Sequence, residues 1–172
     1  MCLAHEATAG LRTREEEVGT PLGAAACRVI EDRVAIVPIL RAGLGMADAL
    51  LELIPEAEVW HVGLFRDERT LEPTEYYNKL PGHSRATIAF LVDPMLATGG
   101  SAVHACQLLR AAGIGRLIYI GLIAAPEGVA ALESAFPDVP IHVGAVDLKL
   151  NEVGFIYPGL GDAGDRQFAT ES

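Results

Sequence analysis

Residues 90–101 read FLVDPMLATGGS. An apolar run, Phe90 to Val92, delivers a carboxylate, Asp93, and a short connection follows through Pro94, Met95, Leu96 and Ala97. Thr98, Gly99, Gly100 and Ser101 then open a helical pattern with Ala102, Ala105, Cys106 and Leu109 on one face, ended by Gly113. Two glycines at a helix start let backbone N–H groups point into one concavity, and the helix N-terminus adds positive potential. Thr98 and Ser101 add hydroxyl donors. The stretch predicts a strand, an acid at its C-terminal end and a phosphate cradle; an ordinary helix cap with glycines in a tight turn would use the same residues. No GK[ST] follows, so it is not a Walker A loop.

The same alternation extends outward in both directions. Val34–Leu40, Val59–Phe65, Leu117–Ala124 and Ile141–Val146 read as strands, the last as the final central one. Gly43–Ile54 and the segment from Pro126, with Val129, Leu132 and Phe136 as its stripe, read as helices. Arg66–Ser84 is polar and turn-rich and predicts a long loop or hairpin of functional use. Asn151–Ser172 is glycine-rich and weakly periodic, and Glu17–Arg33 suggests an irregular hairpin without an evident role. This pattern predicts one α/β domain over residues 1–172, a mostly parallel twisted sheet flanked by helices on both faces. Ligands of such sheets bind beyond the C-terminal strand ends. That singles out 41–45, 66–81, 93–101 and the glycine-rich tail.

Composition narrows the function further. The 172 residues carry a formal charge of −10, which disfavours nucleic acid and anionic membranes as partners. Three scattered cysteines fit neither a disulfide framework nor a metal site, and the five histidines form no ligand array. The longest apolar run, Leu117–Ala125, is too short for a membrane span, and the start has no signal-peptide character, so a cytoplasmic protein is expected. In the tail, Gly159, Gly161 and Gly164 match GxGxxG, but Pro158 precedes them and no long helix can follow, so a dinucleotide site is rejected.

An acid after an apolar strand, followed by TGGS, resembles the signature of type I phosphoribosyltransferases, and DPMLATGGS is similar to the uracil phosphoribosyltransferase family in particular. ILRAGLGM (39–46), LFRDERTLEPTEYYNKLP (64–81), AAPEG (124–128) and GFIYPGLGDAGDR (154–166) resemble that family in the same order, so the likeness runs from about Leu3 onward. The resemblance implies a pentosyl-transferring glycosyltransferase that converts uracil and 5-phosphoribosyl 1-diphosphate (PRPP) to UMP and diphosphate in pyrimidine salvage. It implies that Asp93 to Ser101 bind PRPP, with Ala97 to Ser101 around the 5′-phosphate and Asp93 on the ribose hydroxyls. Arg41 and Arg66 would take the diphosphate, each as a permanent charge with a planar fork of donors. Arg66, Asp93 and Asp162 are the implied catalytic set, with Asp162 also at PRPP. Ile156, Gly161, Asp162 and Ala163 are implied around uracil. The loop with Arg66, Arg69, Tyr76 and Lys79 would shield the reacting ribose from water, although Tyr76 and Lys79 taken singly read as solvated hairpin residues.

Mg²⁺ is the implied cofactor, held through the diphosphate and not by a protein cage, which would also offset the acidity. A homodimer or higher homo-oligomer is implied, and GTP as an allosteric ligand. The family pattern has a basic, helix-containing segment ahead of the position matching Leu3. A shortened N-terminus is therefore expected, with the helix at Met1–Leu11 exposed and the dimer weakened. Val153 and Phe155 stand where the family commonly has histidine and tyrosine. A different reading keeps the fold as a non-catalytic regulator that senses nucleotide or PRPP.

Overall fold

The computed structural model describes residues 1–66, 73–82 and 84–170. The chain opens with helix α1 (Cys2–Thr8), then strands β1 (Thr13–Thr20) and β2 (Gly23–Ile30), which form an antiparallel hairpin. The α/β body follows: β3 (Val34–Leu40), α2 (Leu44–Leu53), β4 (Glu58–Val59), β5 (Val62–Arg66), β6 (Pro73–Asn78), β7 (Ile88–Val92), β8 (Met95–Leu96), α3 (Gly100–Ala111), β9 (Arg116–Ala124), α4 (Pro126–Ala135) and β10 (Ile141–Val146). The tail forms β11 (Lys149–Leu150), β12 (Ile156–Tyr157) and α5 (Ala163–Phe168).

The main sheet has the order β10-β9-β7-β3-β5-β6, with β4 on β3 and β8 on β9. Its pairs are parallel except β5 with β6. Strict alternation buries both faces. Ala35, Val37 and Ile39 of β3, Ala89 and Leu91 of β7, and Leu117 and Tyr119 of β9 share one core with Ala102, Ala105, Cys106 and Leu109 of α3 and Leu132 of α4. The intervening residues Val34, Ile36, Ile88, Phe90, Val92, Ile118 and Ile120 form the other core with Ala4 and Ala7 of α1 and Ala47 and Leu50 of α2. Strands buried on both faces read as continuous apolar runs, as these do.

This layering places the functional edge. From β3 the chain leaves to one face through α2, and from β7 it leaves to the other through α3. The crevice between two adjacent parallel strands whose connections diverge is the ligand position of an open α/β sheet. Arg41 follows β3 there and Asp93 follows β7.

Four readings need correction. Ile141–Val146 is an edge strand and not a central one; its last three residues are exposed. Val59–Phe65 divides into β4 and β5, because Trp60 donates its backbone N–H to Ile36 O while its indole donates to Glu58 Oε2. The suggested irregular hairpin is regular, with register Thr13↔Ile30 to Thr20↔Gly23, and stands largely in solvent. Helix α1 is docked, with Ala4 and Ala7 each 2 % exposed, so the expectation of an exposed helix fails.

A buried carboxylate fastens the N-terminal part at the sheet end opposite the crevice. Asp32, just before β3, accepts from the Arg12 backbone N–H (2.7 Å), Arg12 Nε (2.8 Å), Arg116 Nη1 (2.8 Å) and Thr87 Oγ1 (2.9 Å). Burial alone would raise its pKa, but these donors outweigh that and hold it well below the usual carboxylate range.

Candidate active site

At the C-terminal edge of the sheet lies a cleft of about 720 Å³, walled by β3 and its following loop (Ile39 to Ala42), Leu64, Tyr76, Asp93, Met95, Ser101 and two tail segments, Val153 to Phe155 and Asp162 to Gly164. Stretches far apart in sequence meet here. Asp93 ends β7, where Val92 is fully buried. Its carboxyl is pushed up to about 7, first by burial and then by the charge of Asp162, against the Met95 backbone N–H that hydrogen-bonds it. The protein thus holds a carboxyl that takes up a proton readily, next to a second acid across the cleft.

The connection after Asp93 divides its labour. Pro94 and Leu96 are buried and tie the turn to β9: Pro94 O accepts from Leu122 and Ile123 N–H (2.9 and 3.0 Å), and Leu96 O accepts from Ala125 N–H (2.9 Å). Met95 and Ser101 reach the cleft wall, and Ala97, Thr98, Gly99 and Gly100 form the turn into α3 between them. Gly99 caps α3 at φ +83°, and Gly100 is the first helical residue. The demand for glycine at 99 comes from α4 as well as from φ. A Cβ there would lie 2.8 Å from Ala131 Cβ and 2.9 Å from Gly128 O. Gly128 is its counterpart: a Cβ would lie 2.4 Å from Ala97 O and 2.5 Å from Leu96 O. The AAPEG stretch, to which sequence reasoning gave no task, therefore buttresses the turn from Leu96 to Gly99. Its Glu127 also accepts from Leu150 N–H at 3.1 Å, so the same turn supports the tail.

The tail folds back over the cleft. Ile156 is 4 % exposed, so its side chain belongs to the packing of the tail and leaves only its main chain for a ligand. Asp147 Oδ2 accepts from Gly159 N–H at 3.0 Å and fixes the glycine-rich turn. Gly161 has φ +77° with no atom within 4 Å of a would-be Cβ; here conformation, not close approach, calls for glycine. Asp162 caps α5 by accepting from Asp165 N–H at 2.8 Å, and Asp162 and Ala163 line the cleft while Gly161 does not.

Arg41 is exposed beside the cleft, with its guanidinium on the tail: Nη2 donates to Asp165 Oδ1 (2.8 Å) and Nη1 to Thr170 Oγ1 (3.3 Å). The backbone of Arg66 closes β5 against Pro73, whereas its side chain and all of Arg69 lie outside the described residues. Tyr76 is exposed, as a solvated hairpin residue would be, and also reaches the cleft wall; Lys79 is exposed. Sequence reasoning missed Val153 and Phe155 as wall residues, although it noted both as departures, and missed Asp165 altogether. Among the described residues no three His, Cys, Asp or Glu side chains converge on one point as a metal cage.

The comparisons agree with this geometry. A family model described as uracil phosphoribosyltransferase matches residues 1–170. A curated uracil phosphoribosyltransferase of Roseiflexus castenholzii is 55 % identical over 168 residues, covering 98 % of this chain and 81 % of its own. One from Dictyoglomus thermophilum is 51 % identical over 170 residues, covering 98 % and 82 %. A solved Aquifex aeolicus protein superposes with TM-score 0.92 at 40 % identity, over 98 % of this chain and 81 % of that one. The solved purine phosphoribosyltransferase of Pyrococcus horikoshii, 16 % identical with TM-score 0.54 over 67 % of this chain and 71 % of its own, shares the fold. With the matched model spanning both the sheet edge and the tail that folds over it, the chain belongs to the uracil phosphoribosyltransferase family.

Proposed function

We propose that this protein transfers the phosphoribosyl group of PRPP to uracil, giving UMP and diphosphate. The observation that carries the reading is the meeting of Arg41, Asp93, the start of α3 and the Asp162–Ala163 turn at one cleft, which supplies a subsite for each part of the two substrates. The turn from Ala97 to Ser101 receives the 5′-phosphate on backbone N–H groups and hydroxyls. Asp93 accepts from the ribose hydroxyls. Arg41 and Arg66 bind the diphosphate with forked donors. Uracil lies under the tail, its O4, N3–H and O2 edge met by main-chain groups between Ile156 and Ala163. The buried Ile156 side chain and the exposed Asp162 leave few side chains to do this instead.

In the reaction the bond from ribose C1 to the diphosphate oxygen breaks and a bond from C1 to uracil N1 forms. The N1 proton leaves the base and the electron pair of the broken bond leaves with diphosphate. Positive charge develops at C1, as in glycoside chemistry, so water must be kept out. The hairpin of β5 and β6, with Tyr76 on the cleft wall, serves as that cover. A divalent cation fits this reading through the diphosphate, since Mg²⁺ binds readily through phosphate oxygens and waters. The diphosphate would hold it, and when bound it would neutralise charge on the leaving group. Assembly into a homo-oligomer belongs to the same reading, supported by exposed Leu122, Val146 and Leu148 near the β10 edge.

The test is turnover with PRPP and Mg²⁺ across the common bases, followed by diphosphate release. Uracil should turn over, and purines should be refused by size. Cytosine should be refused because its amino group and unprotonated N3 leave buried groups unpaired. A uracil-to-cytosine ratio of kcat/KM below about 100 would refute the hydrogen-bonded pocket.

A further inference from the structure

Helix α5 packs on the loop that carries Arg41, and the contacts between them form a continuous network. Arg41 donates through Nη2 to Asp165 Oδ1 (2.8 Å) and through Nη1 to Thr170 Oγ1 (3.3 Å), and Thr170 Oγ1 itself donates to Asp165 Oδ1 (2.6 Å). Gln167 spans the same loop, its amide nitrogen donating to Ala42 O (2.9 Å) and its oxygen accepting from Gly45 N–H (3.1 Å). A Cβ at Gly45 would lie 2.3 Å from that amide, so the loop is shaped to receive it. At the other end of α5, the Asp162 side chain accepts from the Asp165 backbone N–H. The turn beside the base subsite and the arginine of the diphosphate subsite therefore belong to one hydrogen-bonded unit.

We propose that Asp165 is a positioning residue: it sets the Arg41 guanidinium for the diphosphate and couples that subsite to the tail over the base. The inference rests on the diphosphate role of Arg41 given above. The Asp165 side chain is 17 % exposed and that of Arg41 50 %, so a shielded carboxylate anchors a flexible cation. Each terminal nitrogen of a guanidinium carries two hydrogens, so donation to α5 leaves one on each for a phosphate oxygen. Holding a long side chain in one orientation before the ligand arrives removes an entropy cost from binding. Because the anchor belongs to the tail, a diphosphate on Arg41 also favours the placement of the tail.

A double-mutant cycle tests this, with Arg41→Ala, Asp165→Ala and the pair, read as kcat and KM for PRPP and for uracil. Asp165→Ala alone should raise KM for PRPP about tenfold and raise KM for uracil as well. In the Arg41→Ala background it should change KM for PRPP less than about twofold, since the group it positions is gone. Asp165→Asn keeps an acceptor without the charge and should fall between; it replaces Asp165→Ala throughout the cycle if circular dichroism shows that the alanine variant does not fold. Multiplicative effects in the two backgrounds would mean that Asp165 serves stability alone and would overturn the proposal. A normal KM for PRPP in Arg41→Ala would remove the diphosphate role of Arg41 and the proposal with it. An impaired Arg41→Ala beside a silent Asp165→Ala would overturn the positioning role only.

Discussion

Replacing Asp93 by asparagine should make the protein more stable at pH 8 while removing most of its activity. The carboxyl of Asp93 is pushed from 3.8 up to about 7, with burial as the largest cause and Asp162 adding to it. Between those values the folded state holds a proton that the unfolded chain has released, so stability falls as pH rises through that window. At about 1.36 kcal/mol per unit, the ionised form at pH 8 costs the folded state up to about 4 kcal/mol. The carboxyl keeps contact with the water of the cleft, which brings the realised cost to the order of 2 kcal/mol. Asparagine has nearly the same shape and never ionises. Urea unfolding of the two proteins should therefore differ by about 2 kcal/mol in favour of Asp93→Asn at pH 8, and by less than about 0.5 kcal/mol at pH 4, which lies only just above the unfolded value, so that little of the linkage has accumulated. Diphosphate release should fall on the order of 100-fold, because on the role proposed for Asp93 the variant loses the carboxylate that accepts from the ribose hydroxyls. An equal difference at both pH values, or a destabilised variant at pH 8, would refute the reasoning that this acid is held against its own solvation.

The remaining predictions concern the supports of the site. Gly128→Val places a branched side chain where even a Cβ would be 2.4 Å from Ala97 O. It should cost about 1–3 kcal/mol in urea unfolding and raise KM for PRPP about tenfold or more, although Gly128 does not line the cleft. Gly99→Ala meets both the φ of +83° and Ala131 Cβ at 2.8 Å, and should lose about 1–2 kcal/mol by the same measurement. Asp32→Ala should lose about 3 kcal/mol at pH 7 and leave KM for PRPP unchanged, because its ion cluster sits at the opposite end of the sheet. Since the Asp32 pKa is depressed in the folded protein, the parent should give up this advantage as pH falls below about 4, and unfolding curves of parent and variant should converge in acid.

What could be read before any coordinates follows from which interactions are local. The body strands are apolar because both faces are buried, and Asp93 and Gly99 announce themselves by standing at the end of such a strand and the start of a helix. Edge position leaves only a weak mark: Ile141–Val146 is mostly apolar, with His142 and Gly144 its sole departures, yet Gly144, Ala145 and Val146 are exposed. The β1–β2 hairpin was obscured because TREEEVGT has no buried face to create alternation. Helix α5 is only six residues long in a glycine-rich stretch. Its one local signal was Asp162 three residues before Asp165, the spacing of a helix cap. The Arg41–Asp165 pair joins positions 124 apart, and nothing in either neighbourhood specifies it.

The same division explains why the cleft depends on residues remote from it in sequence. A phosphate cradle needs backbone donors held at fixed spacing, and backbone cannot be held by its own side chains when two of its residues are glycines. The turn is therefore clamped from outside. Pro94 O and Leu96 O accept from the end of β9, and Gly128 of α4 approaches Leu96 and Ala97 so closely that no Cβ fits between them. Glu127, one residue earlier, reaches the opposite way and accepts from Leu150 of the tail. One turn at the start of α4 thus fixes both the turn into α3 and the tail, while Asp165 ties the tail to Arg41. Preorganisation of this kind moves the ordering cost out of the binding step and into folding. It follows that variants of the buttress should weaken PRPP and uracil together, whereas variants of Met95 or Ser101 on the cleft wall should act mainly on PRPP.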